Sequence, residues 1–185
     1  RKNKSEKPPA LYDLTTLQRD ANRLLGYTAQ QTLDYLQNLY EKKLCTYPRT
    51  DSRYLTSDMA EGLPMLVNLV ANAMPFRKGI AISCDAAAVI NDKKVTDHHA
   101  VIPTRNIRDA DLSALPAGER AVLELVALRL LCAVAPPHTY AEMSIAVECA
   151  GAEFTAKGRT VKQSGWRSLD AAYCASMKNV ESDDN

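Results

Sequence analysis

Apolar residues recur every three or four positions over most of the chain, which is the spacing of an amphipathic helix. The first such stretch begins at a capping box from Thr15 to Gln18 and ends at Gly26, a residue suited to a helix C-terminus. The second begins at another capping box, Thr28 to Gln31. The four predicted helices cover about residues 15–25, 28–43, 57–73 and 118–135. The pattern therefore predicts a largely helical core.

After the proline pair Pro136–Pro137 the apolar spacing changes from helical to alternating. Apolar side chains occupy every second position over residues 143–147, and a second strand-like segment covers about residues 153–163. Gly151 lies between the two segments and indicates a hairpin turn. Residues 140–170 are therefore predicted to form antiparallel sheet, and the whole chain is predicted to be of the α+β class.

The two ends of the chain lack both patterns. The first nine residues, RKNKSEKPP, are charged and end in prolines, and the last eight, KNVESDDN, are polar throughout. Such segments bury too little apolar surface to order themselves, so we expect flexible ends. The chain also opens without methionine, and we expect it to be a piece of a longer protein.

Composition and charge limit the classes of function. The 23 Lys and Arg residues nearly balance the 22 Asp and Glu residues, giving a net charge of +1, so any DNA-binding surface must be local. The five cysteines are widely spaced and form no CxxC pair, which predicts reduced thiols rather than a zinc site. No apolar run approaches the roughly 18 residues of a membrane span. We therefore expect a soluble, cytoplasmic protein without a membrane partner.

The densest group of chemically distinctive side chains, Thr46–Arg53, follows the second predicted helix. Pro48 prevents that helix from continuing, so a loop is predicted. A tyrosine hydroxyl is a weak nucleophile at neutral pH and needs a nearby cation or proton acceptor to attack phosphorus. Arg49 has the charge and the forked geometry to bind phosphate oxygens beside Tyr47. The alternative is a structural tyrosine, with Arg49 and Asp51 in a surface ion pair.

Two adjacent histidines, His98 and His99, begin a second distinctive segment, HHAVIPT. The chain has three histidines in all, and the cysteines lie at no matching spacing, so a metal site is not predicted. A histidine in this segment could donate a hydrogen bond to a DNA phosphate or carry the proton of the tyrosine. A solvated surface histidine is the alternative.

Together, TYPRTDSRYL at residues 46–55 and HHAVIPT at residues 98–104 resemble the signature segments of type IA DNA topoisomerases. The sequence before the first segment is also similar to that family, with TLQ, a leucine-glycine helix end and LYE in the family's order. The resemblance covers about residues 8–170. The proline after the tyrosine and the exact HHAVIPT sequence make the chain more similar to bacterial topoisomerase III than to topoisomerase I.

The resemblance implies a mechanism and assigns residues to it. In this family a tyrosine attacks one DNA strand to form a 5′-phosphotyrosyl link, a strand passes through the gap, and the break is resealed without ATP. Tyr47 corresponds to the nucleophile, Arg49 to the arginine that places the scissile phosphate, and His98 to the active-site histidine. Further candidates to line a site for single-stranded DNA are Gln37, Glu41, Thr46, Thr50, Asp51, Arg53 and Thr104. For each of these, a solvated helix or loop position is the alternative.

The family also uses a Toprim domain, whose acidic residues hold magnesium and complete the catalytic centre. No acidic triad of DxD form follows a strand in this chain. The resemblance therefore implies no cofactor and no metal in this piece, and Mg²⁺ for the full enzyme through the absent Toprim domain. The isolated piece is expected to be inactive, and the remaining domains of the same enzyme are its expected partners.

The resemblance also implies a division of the chain into four parts. Residues 14–137 would form the helical, winged-helix-like domain that carries the tyrosine, and residues 138–175 antiparallel strands of an arch domain. Residues 1–13 would be a flexible N-terminus with the end of an arch strand, and residues 176–185 a flexible C-terminus. The joins near Pro8–Leu14 and Pro136–His138 would be the hinge that opens the gate.

A non-catalytic helix-turn-helix DNA-binding module is the competing interpretation, because about three residues join the first two predicted helices. Such a module needs a basic recognition helix to bind phosphates. The second helix instead carries Gln30, Gln31 and Asp34, and its two lysines lie only at its end. A covalent DNA adduct on Tyr47 would distinguish the enzyme from the module.

Overall fold

The computed structural model describes residues 2–183, and the side chains of residues 2–178. Within this range the chain forms five α-helices and three β-strands, joined by loops and short 3₁₀ turns. The helices are α1 (Leu14–Leu25), α2 (Ala29–Glu41), α3 (Leu63–Ala73), α4 (Ala117–Ala133) and α5 (Arg167–Asp183), and the strands are β1 (Lys2–Glu6), β2 (His138–Cys149) and β3 (Ala152–Gln163). The predicted α+β class is confirmed.

The helical body is built around α4. Almost every residue of α4 from Val122 to Ala133 is buried, because α1 and α2 pack on one part of its surface and α3 and α5 on another. The segment between α3 and α4 has little regular structure, but Val101 and Ile102 within it are fully buried. The core therefore fixes the two loops that carry the candidate chemistry. None of the helices in the described range is long and apolar enough to cross a bilayer.

The sheet is antiparallel with strand order β1-β2-β3. β2 and β3 form the predicted hairpin, and its turn is made by Ala150 and Gly151, both with positive φ (52° and 81°). Two successive positive φ values are typical of a tight turn that matches the twist of the paired strands. β1 pairs with the first part of β2, from Lys2 opposite Glu142 to Glu6 opposite His138.

Two helix starts differ from the sequence prediction. The capping box of α1 is formed by Asp13 and Thr16, not by Thr15 and Gln18, since the Asp13 carboxylate accepts a 2.7 Å hydrogen bond from the Thr16 amide. The predicted helix over residues 57–73 is divided into a 3₁₀ turn, Ser57–Met59, and α3. Pro64 lies in the first turn of α3, where its missing N–H needs no partner.

Both ends of the described range have regular secondary structure. β1 is a polar strand in the N-terminal segment, and α5 occupies residues 167–183, where strands and then a flexible tail were predicted. α5 forms because Leu169 and Tyr173 follow helical spacing and are buried against α4 and Phe76. Residues 1, 184 and 185 lie outside the described residues.

Three chain segments cross between the helical body and the sheet at one place. Gly165 has a positive φ of 54°, and a Cβ atom there would collide with the carbonyl oxygens of Pro136 and Pro137. The Trp166 amide donates to the Pro136 carbonyl (3.0 Å), and its indole N–H donates to the Glu6 carbonyl (3.2 Å). The entries into α1, β2 and α5 are therefore bound to one another.

Beyond this junction the β2–β3 hairpin projects with an apolar face that no described residue covers. Alternating positions place Met143, Ile145 and Val147 on that face, and the register puts Phe154 directly opposite Val147. These four side chains are each half exposed or more. A surface of this kind is typical of a contact site.

Candidate active site

The loop after α2 lies beside the HHAVIPT segment. α2 ends at Glu41, and Lys43 then adopts a left-handed conformation with φ 61°. Beyond it, Cys45 forms a β-bridge with Pro103, and the Thr46 amide donates to the Ile102 carbonyl at 3.0 Å. The two segments that the sequence singled out separately therefore form one site.

Threonine hydroxyls join the two segments at two further points. The Thr46 hydroxyl accepts a hydrogen bond from the Ile102 amide (3.0 Å) and donates to the Ala100 carbonyl (3.3 Å). The Thr50 hydroxyl donates to the His98 carbonyl at 2.9 Å. Because both hydroxyls bind main-chain atoms across the gap, they hold the path of the loop on either side of Tyr47.

Tyr47 is half-buried and its ring lies between two other rings. The His98 ring packs on it with centroids 4.2 Å apart and planes tilted by 35°. The Tyr40 ring, at the end of α2, meets it edge to face, at 5.5 Å and 82°. The predicted nucleophile and the predicted histidine are therefore in direct contact.

The two arginines of the loop differ in their surroundings. Arg49 is exposed, and among the described residues no acceptor binds its guanidinium. Arg53 is half-buried, and its Nε donates to the Leu11 carbonyl at 3.2 Å. The ion pair between Arg49 and Asp51, which was the alternative interpretation, does not form, since Asp51 is exposed and no described cation lies within 4 Å of it. Arg49 is therefore available to an anion beside Tyr47.

The candidates on α2, Gln37 and Glu41, lie on the same helix as Tyr40, whose ring contacts Tyr47. The Gln37 side chain donates to the Glu41 carboxylate at 3.3 Å, one helical turn apart. Tyr40 lies between them in sequence and is 40% exposed, although its edge contacts Tyr47. Sequence reasoning missed Tyr40 as a member of the site, and its helical spacing from Gln37 was the signal that could have found it.

Thr104 is another of the residues predicted to line the DNA site, and its hydroxyl donates to the Lys43 carbonyl. The same carbonyl accepts a 3.0 Å hydrogen bond from the Asn106 side chain, a residue that sequence reasoning did not select. No motif marked Asn106, because its contact depends on the path of a distant loop.

Behind the site, buried groups hold the start of α1 to α4. The Tyr12 hydroxyl donates to Asp20 at 2.7 Å, and Arg129 binds both the same carboxylate and the Tyr12 hydroxyl. Burial raises the pKa of Tyr12 above its ordinary value. Burial also acts to raise the pKa of Asp20, but the hydrogen bond from Tyr12 and the charge of Arg129 outweigh it, so that pKa is lowered. The Tyr12 carbonyl accepts from the Val101 amide (2.8 Å), which connects this cluster to the HHAVIPT segment.

Cys45 is the other potential nucleophile near Tyr47. It is fully buried, and burial raises the pKa of its thiol well above the ordinary range. A thiol kept protonated is a poor nucleophile. Cys45 therefore acts as a packing group, whereas Tyr47 in the same loop is only half-buried.

Within the described range, no three His, Cys, Asp or Glu side chains lie close enough together to hold a metal ion.

Comparison with known proteins decides the family. A family model described as DNA topoisomerase matches residues 1–184. The chain belongs to the DNA topoisomerase family. Its similarity to DNA topoisomerase 3 proteins confirms the type IA interpretation, with topoisomerase III as the branch that it resembles.

Two relatives in this family come from bacilli. The chain is 41% identical over 185 residues to DNA topoisomerase 3 of Bacillus subtilis, covering 96% of this chain and 24% of that protein. It is 42% identical over 169 residues to DNA topoisomerase 3 of Bacillus licheniformis, covering 87% of this chain and 23% of that protein. The chain thus spans about a quarter of the length of these topoisomerases.

A solved topoisomerase has the same fold. Full-length topoisomerase I from Thermotoga maritima superposes with a TM-score of 0.66 at 22% identity, covering 91% of this chain and 28% of that one. At 22% identity this similarity supports a shared fold and nothing further.

Proposed function

We propose that this chain is the part of a type IA DNA topoisomerase that carries the nucleophile, and that Tyr47 is that nucleophile. The observation that supports the proposal most directly is the contact between the Tyr47 and His98 rings, 4.2 Å apart, with the unpaired guanidinium of Arg49 in the same loop.

The proposed reaction begins with attack of the Tyr47 hydroxyl oxygen on a phosphorus atom of one DNA strand. An O–P bond forms to the tyrosine, and the bond between phosphorus and the 3′ oxygen breaks. The phenol proton leaves to water, and the departing 3′ oxygen takes up a proton. The product is a 5′-phosphotyrosyl link and a free 3′ hydroxyl, so the reverse reaction reseals the strand after another strand has passed.

Arg49 and His98 are proposed to stabilise the phosphate during this exchange. The guanidinium can bind two non-bridging oxygens at once, and charge-assisted hydrogen bonds strengthen as negative charge develops on them. The His98 ring packs on the phenol instead of meeting its hydroxyl. Donation from the His98 ring to a phosphate oxygen therefore suits this geometry better than removal of the tyrosine proton.

Single-stranded DNA is the proposed substrate, bound along α2 and the loop. The half-exposed Tyr40 ring offers a surface on which a base can stack, and stacking of this kind tolerates any sequence. Gln37, Glu41 and Asp51 are proposed to line the DNA with their side chains. Thr46, Thr50, Arg53 and Thr104 are proposed to lie along the same path, with their side chains bound to the protein main chain.

The rest of the enzyme is proposed to supply what this chain lacks. Magnesium would be held by a Toprim domain outside the chain, and this domain and the others would be its partners in the cytoplasm. The isolated 185-residue chain would then be inactive in strand cleavage.

Gate opening is proposed to move residues 14–137 relative to the sheet. Of the predicted joins, Pro136–His138 lies at the junction, whereas Leu11 and Tyr12 in the join near Pro8–Leu14 are buried in the helical core. A third join, at residues 164–166, leads to α5, which packs on α4 and Phe76 and so travels with the helical body. Crystals that trap two angles between body and sheet would support this proposal.

Covalent capture tests the nucleophile. The chain would replace the matching region of the Bacillus subtilis relative, and the folded chimera would be incubated with magnesium and a 3′-end-labelled single strand. We expect a denaturant-stable adduct that is lost in Tyr47→Phe. Tyr54→Phe, which alters another half-buried tyrosine of the same loop, should keep the adduct.

An adduct that persists in Tyr47→Phe would show that another group is the nucleophile. A folded chimera that binds the strand but never forms an adduct would favour the helix-turn-helix binding module. A folded chimera that neither binds nor cleaves the strand would contradict both functions.

A further inference from the structure

The C-terminus of α2 has an unusual backbone for its sequence. The Leu44 amide donates to the Leu39 carbonyl and the Lys43 amide to the Tyr40 carbonyl, both at 2.9 Å, which is the pattern of a Schellman cap. The left-handed residue of such a cap is usually glycine, because a Cβ atom disfavours positive φ. Here it is Lys43, at φ 61°. Surrounding contacts must therefore hold this conformation.

Those contacts come from the end of the HHAVIPT segment and the residues just after it. The Lys43 carbonyl accepts hydrogen bonds from the Thr104 hydroxyl and from the Asn106 side chain, the latter at 3.0 Å. The Thr104 amide donates in addition to the Leu44 carbonyl at 2.9 Å. Both donors lie around the start of the 3₁₀ turn Arg105–Arg108, which is anchored by the buried side chain of Ile107. We call Lys43, Thr104 and Asn106 the carbonyl clamp.

The carbonyl clamp stands between the two halves of the candidate site. Tyr47 follows Lys43 by four residues, and His98 precedes Thr104 by six. The direction in which the chain leaves α2 sets where the Tyr47 ring can lie, and the position of residue 104 sets where the His98 segment runs. A bond that joins the two segments at this point thus influences how the rings meet.

We propose that Thr104 and Asn106 are positioning residues, which hold Lys43 in its left-handed conformation and thereby keep Tyr47 stacked on His98. Their catalytic consequence rests on the proposed function of Tyr47, whereas their effect on the stacking does not. Thr104 acts on the reaction through the protein main chain and not by binding DNA with its hydroxyl.

The first test uses the 185-residue chain itself. The chain contains three histidines, so the ring protons of His98 can be followed by NMR, and Tyr47→Leu calibrates the shift that the neighbouring ring causes. We expect Thr104→Val and Asn106→Leu to lose most of this shift. Thr104→Ser, which keeps the hydroxyl, should keep the His98 shift. Ser168→Ala removes a similar hydroxyl-to-carbonyl bond at the start of α5 and should leave the shift unchanged.

Circular dichroism of each variant would exclude general unfolding as the cause. If Thr104→Val and Asn106→Leu fold and keep the full His98 shift, the positioning role is overturned. A variant that fails to fold would be replaced by Thr104→Ala, which is smaller and introduces no new branch, and the same criterion would apply.

The second test separates positioning from DNA binding in the chimera described above. A displacement of a reacting group by about 1 Å can cost on the order of 100-fold in rate. We expect Thr104→Val to slow adduct formation roughly 10- to 100-fold while the affinity for the single strand changes less than about twofold. A parallel loss of affinity would make the Thr104 hydroxyl a DNA contact and overturn the proposal. If the unaltered chimera forms no Tyr47 adduct, the proposed function fails, and the NMR test alone decides the positioning role.

Discussion

Asp20 is the point at which several groups behind the site converge. Its carboxylate accepts hydrogen bonds from Tyr12 and Arg129 and also binds Arg23, at 3.2 Å. Arg129 lies with its guanidinium 4.1 Å from the centre of the Tyr12 ring and donates to the Ala10 carbonyl. A single side chain therefore ties the segment before α1 to both α1 and α4.

Replacement of Asp20 by asparagine should destabilise the chain in a pH-dependent way. The pKa of Asp20 is lowered in the folded state, so its charge contributes stability above the unfolded pKa, and this contribution is lost as pH falls through the folded pKa. We expect Asp20→Asn to cost about 1–3 kcal/mol at neutral pH. The difference in free energy of unfolding between the variant and the wild type should disappear below about pH 4. Urea unfolding at several pH values measures both effects.

Asp109→Asn is the matched control, because it removes an exposed ion pair with Arg108 (3.1 Å). Exposed pairs contribute little, so this variant should stay close to the wild type at every pH. A constant difference between Asp20→Asn and the wild type from neutral to acid pH would contradict the role given to the charge of Asp20.

At the scale of elements, Glu119 joins the start of α4 to the end of α2. It is a buried acid, 4% exposed, and its two oxygens bind the Asn38 amide (3.0 Å) and the Lys42 ammonium. Lys42 caps α2 and immediately precedes the carbonyl clamp. The packing of two helices therefore contributes to the position of the loop that carries Tyr47.

Truncation of Glu119 should weaken this contact between helices. Glu119→Ala leaves Asn38 and Lys42 without their acceptor, and loss of a buried partner costs about 1–3 kcal/mol. Glu119→Gln keeps an oxygen for Asn38 and should cost less. Chemical denaturation followed by circular dichroism would rank the three proteins. Equal stability of Glu119→Ala and the wild type would show that the buried contact contributes nothing.

Elements with periodic apolar residues could be predicted from the sequence. α2 was found from apolar residues at helical spacing, α4 from a long apolar run that ends at two prolines, and the hairpin from apolar residues at every second position. The second capping box was found residue for residue, with Thr28 and Gln31 bound to each other's main chain. The end of a strand within residues 1–13 was expected from the resemblance alone, because a polar edge strand such as β1 is held by main-chain hydrogen bonds, which leave no apolar pattern. α5 was missed although Leu169 and Tyr173 have helical spacing, since the resemblance favoured strands there.

The sequence could indicate candidate residues of the site, but it could not indicate the contacts between them. Motif order indicated Tyr47 and His98, and the structure brings their rings together. Motifs do not record which side chain binds which carbonyl, so the contacts of Thr104 and Asn106 with Lys43 were not foreseen. These contacts depend on the path of two loops that are distant in sequence.

At the scale of the whole molecule, the hairpin is the least protected part. No residue that the structure describes covers its apolar face, and β3 presents a free edge of twelve residues with every residue exposed. Exposed apolar faces and free strand edges are the usual routes of self-association.

We expect the isolated chain to self-associate through this hairpin. Val147→Thr combined with Phe154→Thr replaces a directly opposed apolar pair. Threonine also favours strands, so the hairpin itself should be kept. This double variant should remain monomeric at concentrations where the wild type forms larger species. Sedimentation velocity over a concentration series measures the difference. Lys157→Thr, on the opposite face, is the control and should not reduce association, so an equal reduction by Lys157→Thr would argue against the apolar face.

The crossing at Gly165 has a mechanical consequence for the whole molecule. The sheet is connected to the helices by three covalent strands of chain that are bonded to one another through Pro136, Trp166 and Glu6. Any movement of the sheet relative to the helices must therefore change all three connections together, and it must either keep or break the hydrogen bonds between them.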